Sequence, residues 1–148
     1  MSEAQAQRTV ILIVDDDEHR RELHQQLMEL AGYEALAAAS GPEALRVVAE
    51  QPVDLVLLDI AMPGMDGIEA LSRLLDLNRQ LPIIIYTAYS SYRDDFMTWA
   101  AEAYVTKEAS QAELLRAIRE ALEKRGIPVP EAARRLEREE ALGEEEGG

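Results

Sequence analysis

The sequence predicts a doubly wound α/β domain, a parallel sheet with helices on both faces. Three observations predict it. Short, continuous apolar runs alternate with helical apolar periodicity, the β-α alternation repeats five times, and acidic, hydroxyl and amine residues stand just past the ends of the apolar runs. A strand buried on both faces loses period-two alternation and reads as a continuous apolar run. Short links between such strands and intervening helices imply right-handed crossovers and parallel pairing.

In chain order, the strands expected are Thr9 to Val14 (TVILIV), Tyr33 to Ala38 (YEALAA), Asp54 to Leu58 (DLVLL), Pro82 to Thr87 (PIIIYT) and Ala103 to Thr106 (AYVT). The second is the weakest, because its alanines suit a helix equally well. The first helix follows from Leu23, Leu27 and Leu30, spaced by four and three, with Gly32 as its stop. The second starts at SGPEAL, where Ser40 and Glu43 have capping-box spacing and Pro42 fits the first turn. Gly67 opens the third, with Ile68, Leu71, Leu74 and Leu75 on one face. Ser91 with Asp94 caps a fourth carrying Phe96 and Trp99, which are expected to pack inward. Ser110 with Glu113 repeats the capping box before Leu114, Leu115, Ile118 and Leu122.

Composition narrows the function classes. At 148 residues, 47% hydrophobic and 30% charged, the chain suits one soluble domain with a full core. Its formal net charge of −14 argues against a nucleic-acid or anionic-membrane surface and favours cations or basic partners. A polar N-terminus, apolar runs far below the ~20 residues of a spanning helix, and no cysteine lead to the expectation of a soluble, cytoplasmic protein. Residues 1–126 are expected to form the domain. Residues 127–148 read as an acidic tail, partly helical or disordered, with only Leu136 and Leu142 as an apolar stripe.

Asp15 and Asp16 end the first strand, Asp59 the third, Thr87 the fourth, and Thr106 and Lys107 the fifth. In such sheets the ligand crevice lies at the carboxyl ends of the strands. Carboxylates supply the hard oxygen ligands that Mg²⁺ prefers. A metal ion and an ammonium can offset the negative charge of a transferred phosphoryl group, and a free carboxylate can act as nucleophile. Asp17 and Glu18 read instead as first-turn acids of the first helix. His19 and His24 are taken as surface residues without a metal role, and Met62 and Met65 as packing around Pro63.

The ordered set VDD, LLDIAMPGMDG around Asp59, TA at Thr87–Ala88 and YVTK at Tyr104–Lys107 resembles a response-regulator receiver domain over roughly residues 8–125. The resemblance implies a five-stranded flavodoxin-like sheet in the order 2-1-3-4-5. It also implies that Asp59 accepts a phosphoryl group from a phosphohistidine. Mg²⁺ (or Mn²⁺) would be held by Asp16, Asp59 and the carbonyl of Ala61, with Asp15 acting through water. Thr87, Ala88, Tyr104 and Lys107 would bind the phosphoryl group or switch with it. The partners implied are a sensor histidine kinase or histidine phosphotransfer protein. A downstream protein target would dock on the face of the fourth helix, fifth strand and fifth helix, with no nucleic acid and no membrane involved.

Two departures carry expectations. Glu108 follows the lysine where the family usually has proline, so the Lys107–Glu108 bond is expected trans. Ala61 and Tyr89, at the positions that gate hydrolysis in the family, lack a group to orient attacking water, which implies a long-lived aspartyl phosphate. The reading is then a stand-alone phosphorylation switch rather than an enzyme, one that assists its own phosphotransfer and dephosphorylation. Two alternatives stand beside it: a phosphatase of the haloacid-dehalogenase type, using the Asp15–Asp17 spacing, and a constitutive interaction module.

Overall fold

A computed structural model of the protein describes residues 8–59, 67–87 and 101–147. Five parallel strands form one sheet: β1 (Val10–Val14), β2 (Glu34–Ala38), β3 (Leu55–Leu58), β4 (Ile83–Thr87) and β5 (Ala103–Thr106). Their spatial order is β2-β1-β3-β4-β5, the doubly wound arrangement expected from the sequence. The chain leaves β1 toward β2 on one side and returns to β3 on the other, so the switch point lies between β1 and β3. Among the described residues the helices are α1 (Glu18–Leu30), α2 (Gly41–Glu50), α3 (Gly67–Leu77), α4 (Gln111–Lys124) and α5 (Glu131–Gly147). The helix anticipated around Ser91, Asp94, Phe96 and Trp99 lies outside the described residues, as do Met62, Pro63 and Met65.

Alternate strand residues face opposite layers. Ile11, Ile13, Leu55, Leu57, Ile84 and Val105 pack with α1, α4 and α5. Leu12, Val14, Val56, Leu58, Ile83 and Ile85 pack with α2 and α3. All five residues of β1 and all four of β3 are buried, which explains why their sequences read as unbroken apolar runs. Among the described residues β2 is an edge strand, paired with β1 and exposed at Glu34. Its alanines are tolerated there because an edge strand covers less core.

The helix starts follow the capping signals. Ser40 Oγ accepts from the Glu43 N–H at 3.3 Å, and Glu43 returns a carboxylate to the Ala39 N–H at 2.9 Å. Ser110 Oγ accepts from the Glu113 N–H at 3.1 Å. The α1 stripe differs from the expected one. Leu23 and Leu30 are exposed, whereas Leu27, Met28 and Ala31 are buried and His24 is half-buried. His24, Leu27, Met28 and Ala31 have i, i+3, i+4, i+7 spacing, so they form the inward face. His24 is therefore not a surface residue: its ring meets Tyr86 edge-on, with centroids 4.9 Å apart at 88°. A T-shaped aromatic contact makes the imidazole serve as core.

The segment after α4 is held more closely than its two leucines suggested. Gly32 sits at φ +90°, and a Cβ there would lie 2.9 Å from Cβ of Pro130. Glycine thus serves both the left-handed turn and the close passage of the chain leading into α5. Thr9 Oγ1 donates to the Pro128 carbonyl. Along α5, Ala133 is buried and Leu136 half-buried against the α1–α4 layer, while Leu142 is exposed. Glu137 lies on the same face, where Arg119 of α4 donates to its two oxygens at 2.7 and 3.0 Å. The stripe uses an alanine and a paired glutamate, which apolar periodicity does not register. No helix among the described residues is long and apolar enough to cross a membrane.

Candidate functional site

Backbone ladders carry the site residues to the carboxyl edge of the sheet. The Asp15 N–H donates to the Ala38 carbonyl at 3.1 Å, and the Asp59 N–H donates to the Val14 carbonyl at 3.0 Å. Each aspartate is thus the first residue past its strand, still held by the neighbouring one. The Lys107 N–H donates to the Thr87 carbonyl at 2.9 Å, which ties the end of β5 to the end of β4.

There Asp15, Asp16 and Asp59 converge, each offering a carboxylate oxygen within 4.8 Å of the others. Asp15 and Asp59 are 2% and 3% exposed, and Asp16 is open to solvent. Buried carboxylates need compensation. Lys107 supplies it, with Nζ 2.9 Å from Asp59 Oδ2 and 4.0 Å from Asp15 Oδ2. An all-oxygen, all-anionic set open on one side suits a hard divalent cation such as Mg²⁺. The residues present therefore fit the ion.

The run of acids divides as the sequence suggested. Asp17 is the N-cap of α1, accepting from the Arg20 N–H at 3.0 Å. That hydrogen bond holds its carboxyl below the usual carboxylate range. Glu18 occupies the first helical turn. Asp17 is not one of the converging carboxylates, so the Asp15–Asp17 pairing of a haloacid-dehalogenase site finds no support in this geometry.

Thr87 is fully buried and Tyr104 half-buried. Tyr104 packs with the layer that contains Leu12 and Val14. The Lys107–Glu108 bond is trans, as no cis peptide occurs among the described residues. Ala61, Ala88 and Tyr89 lie outside the described residues.

Arg20 was missed in the sequence. Its Nε and Nη2 donate to Asp15 Oδ2 and Oδ1 at 3.1 and 3.3 Å, and Nη2 stands 3.8 Å from Asp59 Oδ2. The Asp15 hydrogen bonds raise its already high pKa. The signal was available: Arg20 lies four residues before His24, one turn up the inward stripe of α1. Arg21 also contributes, donating from Nη1 to the Asp15 carbonyl at 2.8 Å.

Comparison with known proteins agrees with this architecture. The family profile described as the response regulator receiver domain matches residues 11–142. The transcriptional regulatory protein YkoG of Bacillus subtilis is 40% identical over 118 residues, 78% of this chain and 52% of that protein. Sporulation initiation phosphotransferase F of the same organism is 46% identical over 79 residues, 53% of this chain and 64% of its own. The chain thus spans only about half to two thirds of these curated relatives. Among solved structures, response regulator protein TrrA of Thermotoga maritima, in complex with Mg²⁺-BeF, superposes with a TM-score of 0.74 at 39% identity, covering 77% of this chain and 99% of that one. The same regulator in complex with the histidine kinase ThkA superposes with a TM-score of 0.72, covering 77% and 98%. With its sheet order, its converging aspartates and its opposed lysine, the chain belongs to the response-regulator receiver-domain family.

Proposed function

We propose that the protein is a phosphorylation-dependent signalling switch whose phosphoacceptor is Asp59. The observation that carries this reading is the buried Asp59 carboxylate, paired with Lys107 at 2.9 Å and facing Asp15 and Asp16. An Asp59 oxygen attacks the phosphorus of a partner's phosphohistidine. The O–P bond forms as the P–N bond breaks, and the imidazole nitrogen keeps the electron pair and takes up a proton. Lys107, released from the carboxylate, is placed to pair with the new phosphoryl oxygens. Mg²⁺, with Mn²⁺ as a substitute, would be held by Asp16, Asp59 and the Ala61 carbonyl, with Asp15 acting through water, and would supply positive charge against those oxygens.

Thr87, Ala88 and Tyr104 form the proposed relay from the phosphoryl group to the surface, biasing a two-state element through a local charge change. The proposed output face includes β5 and α4, the fifth helix expected from the sequence, between which runs a groove lined by Tyr104, Thr106, Glu113 and Arg116. The partners are a histidine kinase or phosphotransfer protein upstream and a protein target downstream, in keeping with a cytoplasmic location. The net charge of −14 disfavours nucleic acid as a direct ligand of this chain. The proposed division is a receiver unit over residues 1–126 with residues 127–148 appended to it.

Intact-mass measurement after incubation with Mg²⁺ and acetyl phosphate tests the reading. Wild type should gain one phosphoryl group and Asp59→Asn none; a gain that survives the substitution would move the acceptor elsewhere. We further propose that Ala61 and Tyr89 make the aspartyl phosphate long-lived, since neither can orient an attacking water. A half-life of seconds after donor removal, without any phosphatase, would sink that part.

A further inference from the structure

Among the described residues, Arg20 is the charged side chain on the carboxylates of the cluster that the phosphoacceptor reading leaves without a role. It grips Asp15 side-on through both carboxylate oxygens, at 3.1 and 3.3 Å, and reaches to 3.8 Å from Asp59 Oδ2. Asp15 Oδ1 also accepts from the Asp17 N–H at 2.9 Å, so the hydrogen-bonding capacity of this buried carboxylate is largely committed. A divalent cation at Asp15, Asp16 and Asp59 draws on the same carboxylates, each offering an oxygen within 4.8 Å of the others. A guanidinium at hydrogen-bonding range of Asp15 would then lie a few ångströms from the ion, where like charges repel strongly.

The two cations at the site are held differently. Lys107 is 15% exposed at the end of β5, with Asp59 as its close partner. The Arg20 side chain is 40% exposed on the first turn of α1, so it has a path to solvent. It also has a second anion within reach, Asp17, with Oδ2 3.8 Å from Nη1. Lys107 is built to stay and Arg20 is free to leave.

We propose that Arg20 is an intramolecular competitor for the metal position. Its guanidinium and a divalent cation exchange on Asp15 and Asp59, so Arg20 sets the cation concentration at which the phosphoacceptor site becomes primed. The inference rests on the metal-assisted reading of the site.

The test is calorimetric titration of the full chain with Mg²⁺, comparing wild type, R20M, R20K and D16A. Removing the competing charge should tighten Mg²⁺ binding about tenfold in R20M, after allowance for the solvent exposure of the arginine. R20K keeps the charge but loses the planar fork and should fall between the two. Added KCl should narrow the gap, since the competition is electrostatic. Circular dichroism on each variant verifies folding. Equal or weaker Mg²⁺ binding by R20M, with D16A silent, overturns the competition and leaves the metal site standing. No Mg²⁺ uptake by wild type and R20M alike overturns the metal-assisted reading and the competition with it.

Discussion

Two clusters of basic side chains and carboxylates in this molecule obey opposite rules. At the carboxyl edge of the sheet, Asp15, Asp16 and Asp59 face Lys107 and Arg20, so negative charge is in surplus among the described residues. Between α4 and α5, Arg119 and Arg134 face Glu123 and Glu137, and the charges balance. The first cluster is anchored on buried acids at strand ends; the second lies on helix surfaces and joins α5 to the core. A balanced cluster has no electrostatic need for a further ion and acts as a clamp. An unbalanced one stores repulsion that an arriving cation relieves, which is the usual cost of a binding site. Removing a charge should therefore destabilise the clamp and, for the surplus acid, stabilise the site.

The largest effect expected is at Lys107. In Lys107→Met the Asp59 carboxylate, 3% exposed, loses its 2.9 Å partner. Taking the nearest countercharge from a buried carboxylate, with Arg20 still 3.8 Å away, should cost roughly 3 kcal/mol in urea unfolding. Next is Arg119→Met, which strips Glu137 of a two-point contact and Glu123 of one at 2.6 Å. With Arg119 24% and Glu137 16% exposed, the loss should be about 1.5 kcal/mol. Cleavage by a protease within residues 127–148 should accelerate at the same time, because α5 is loosened before the sheet. Asp16→Asn should go the other way. In EDTA it should stabilise the fold by up to about 1 kcal/mol, while removing Mg²⁺ binding measured by calorimetry. A destabilised Asp16→Asn protein would mean that the site is balanced after all.

The same contrast explains what could be read in the sequence. The strands were legible because burial on both faces of β1, β3 and the first three residues of β4 keeps those runs apolar, and β5 followed from its position after them. The site acids were legible because strand ends in a doubly wound sheet share one edge, whatever the loops between them do. Arg20 and the true α1 stripe were not, since His24 was counted as polar; with the ring on Tyr86, the inward face runs through Arg20, His24, Leu27, Met28 and Ala31. The hold on α5 was hidden for a related reason. Ala133 is small and Glu137 is charged, so neither scores as apolar, although one is buried and the other is paired by Arg119. Apolar periodicity finds faces made of large aliphatic residues; it passes over faces completed by an imidazole, an alanine or an ion pair.

The smallest effect expected concerns pH and separates the two clusters once more. His24 packs edge-on against Tyr86 beneath the site. Burial lowers its pKa below the ordinary value of 6.5; Asp15 pulls it upward, while Lys107 and Arg20 push it further down. The folded chain therefore binds fewer protons at His24 than the unfolded chain just below pH 6.5. The stability it contributes is fully present above that value and is lost as pH falls through the lower, folded value. In the clamp, Arg119 is raised by its hydrogen bonds with Glu137 and then Glu123, and Glu123 is lowered by Arg119, so neither changes charge in this range. Urea midpoints taken from about pH 7.5 down to about pH 5.5, above the main carboxylate range, should fall in wild type. They should fall less in His24→Phe, which keeps the ring contact and removes the titrating group. The Arg119→Met protein, though weaker throughout, should keep the wild-type slope. A slope lost in Arg119→Met and kept in His24→Phe would place the titrating group in the clamp instead.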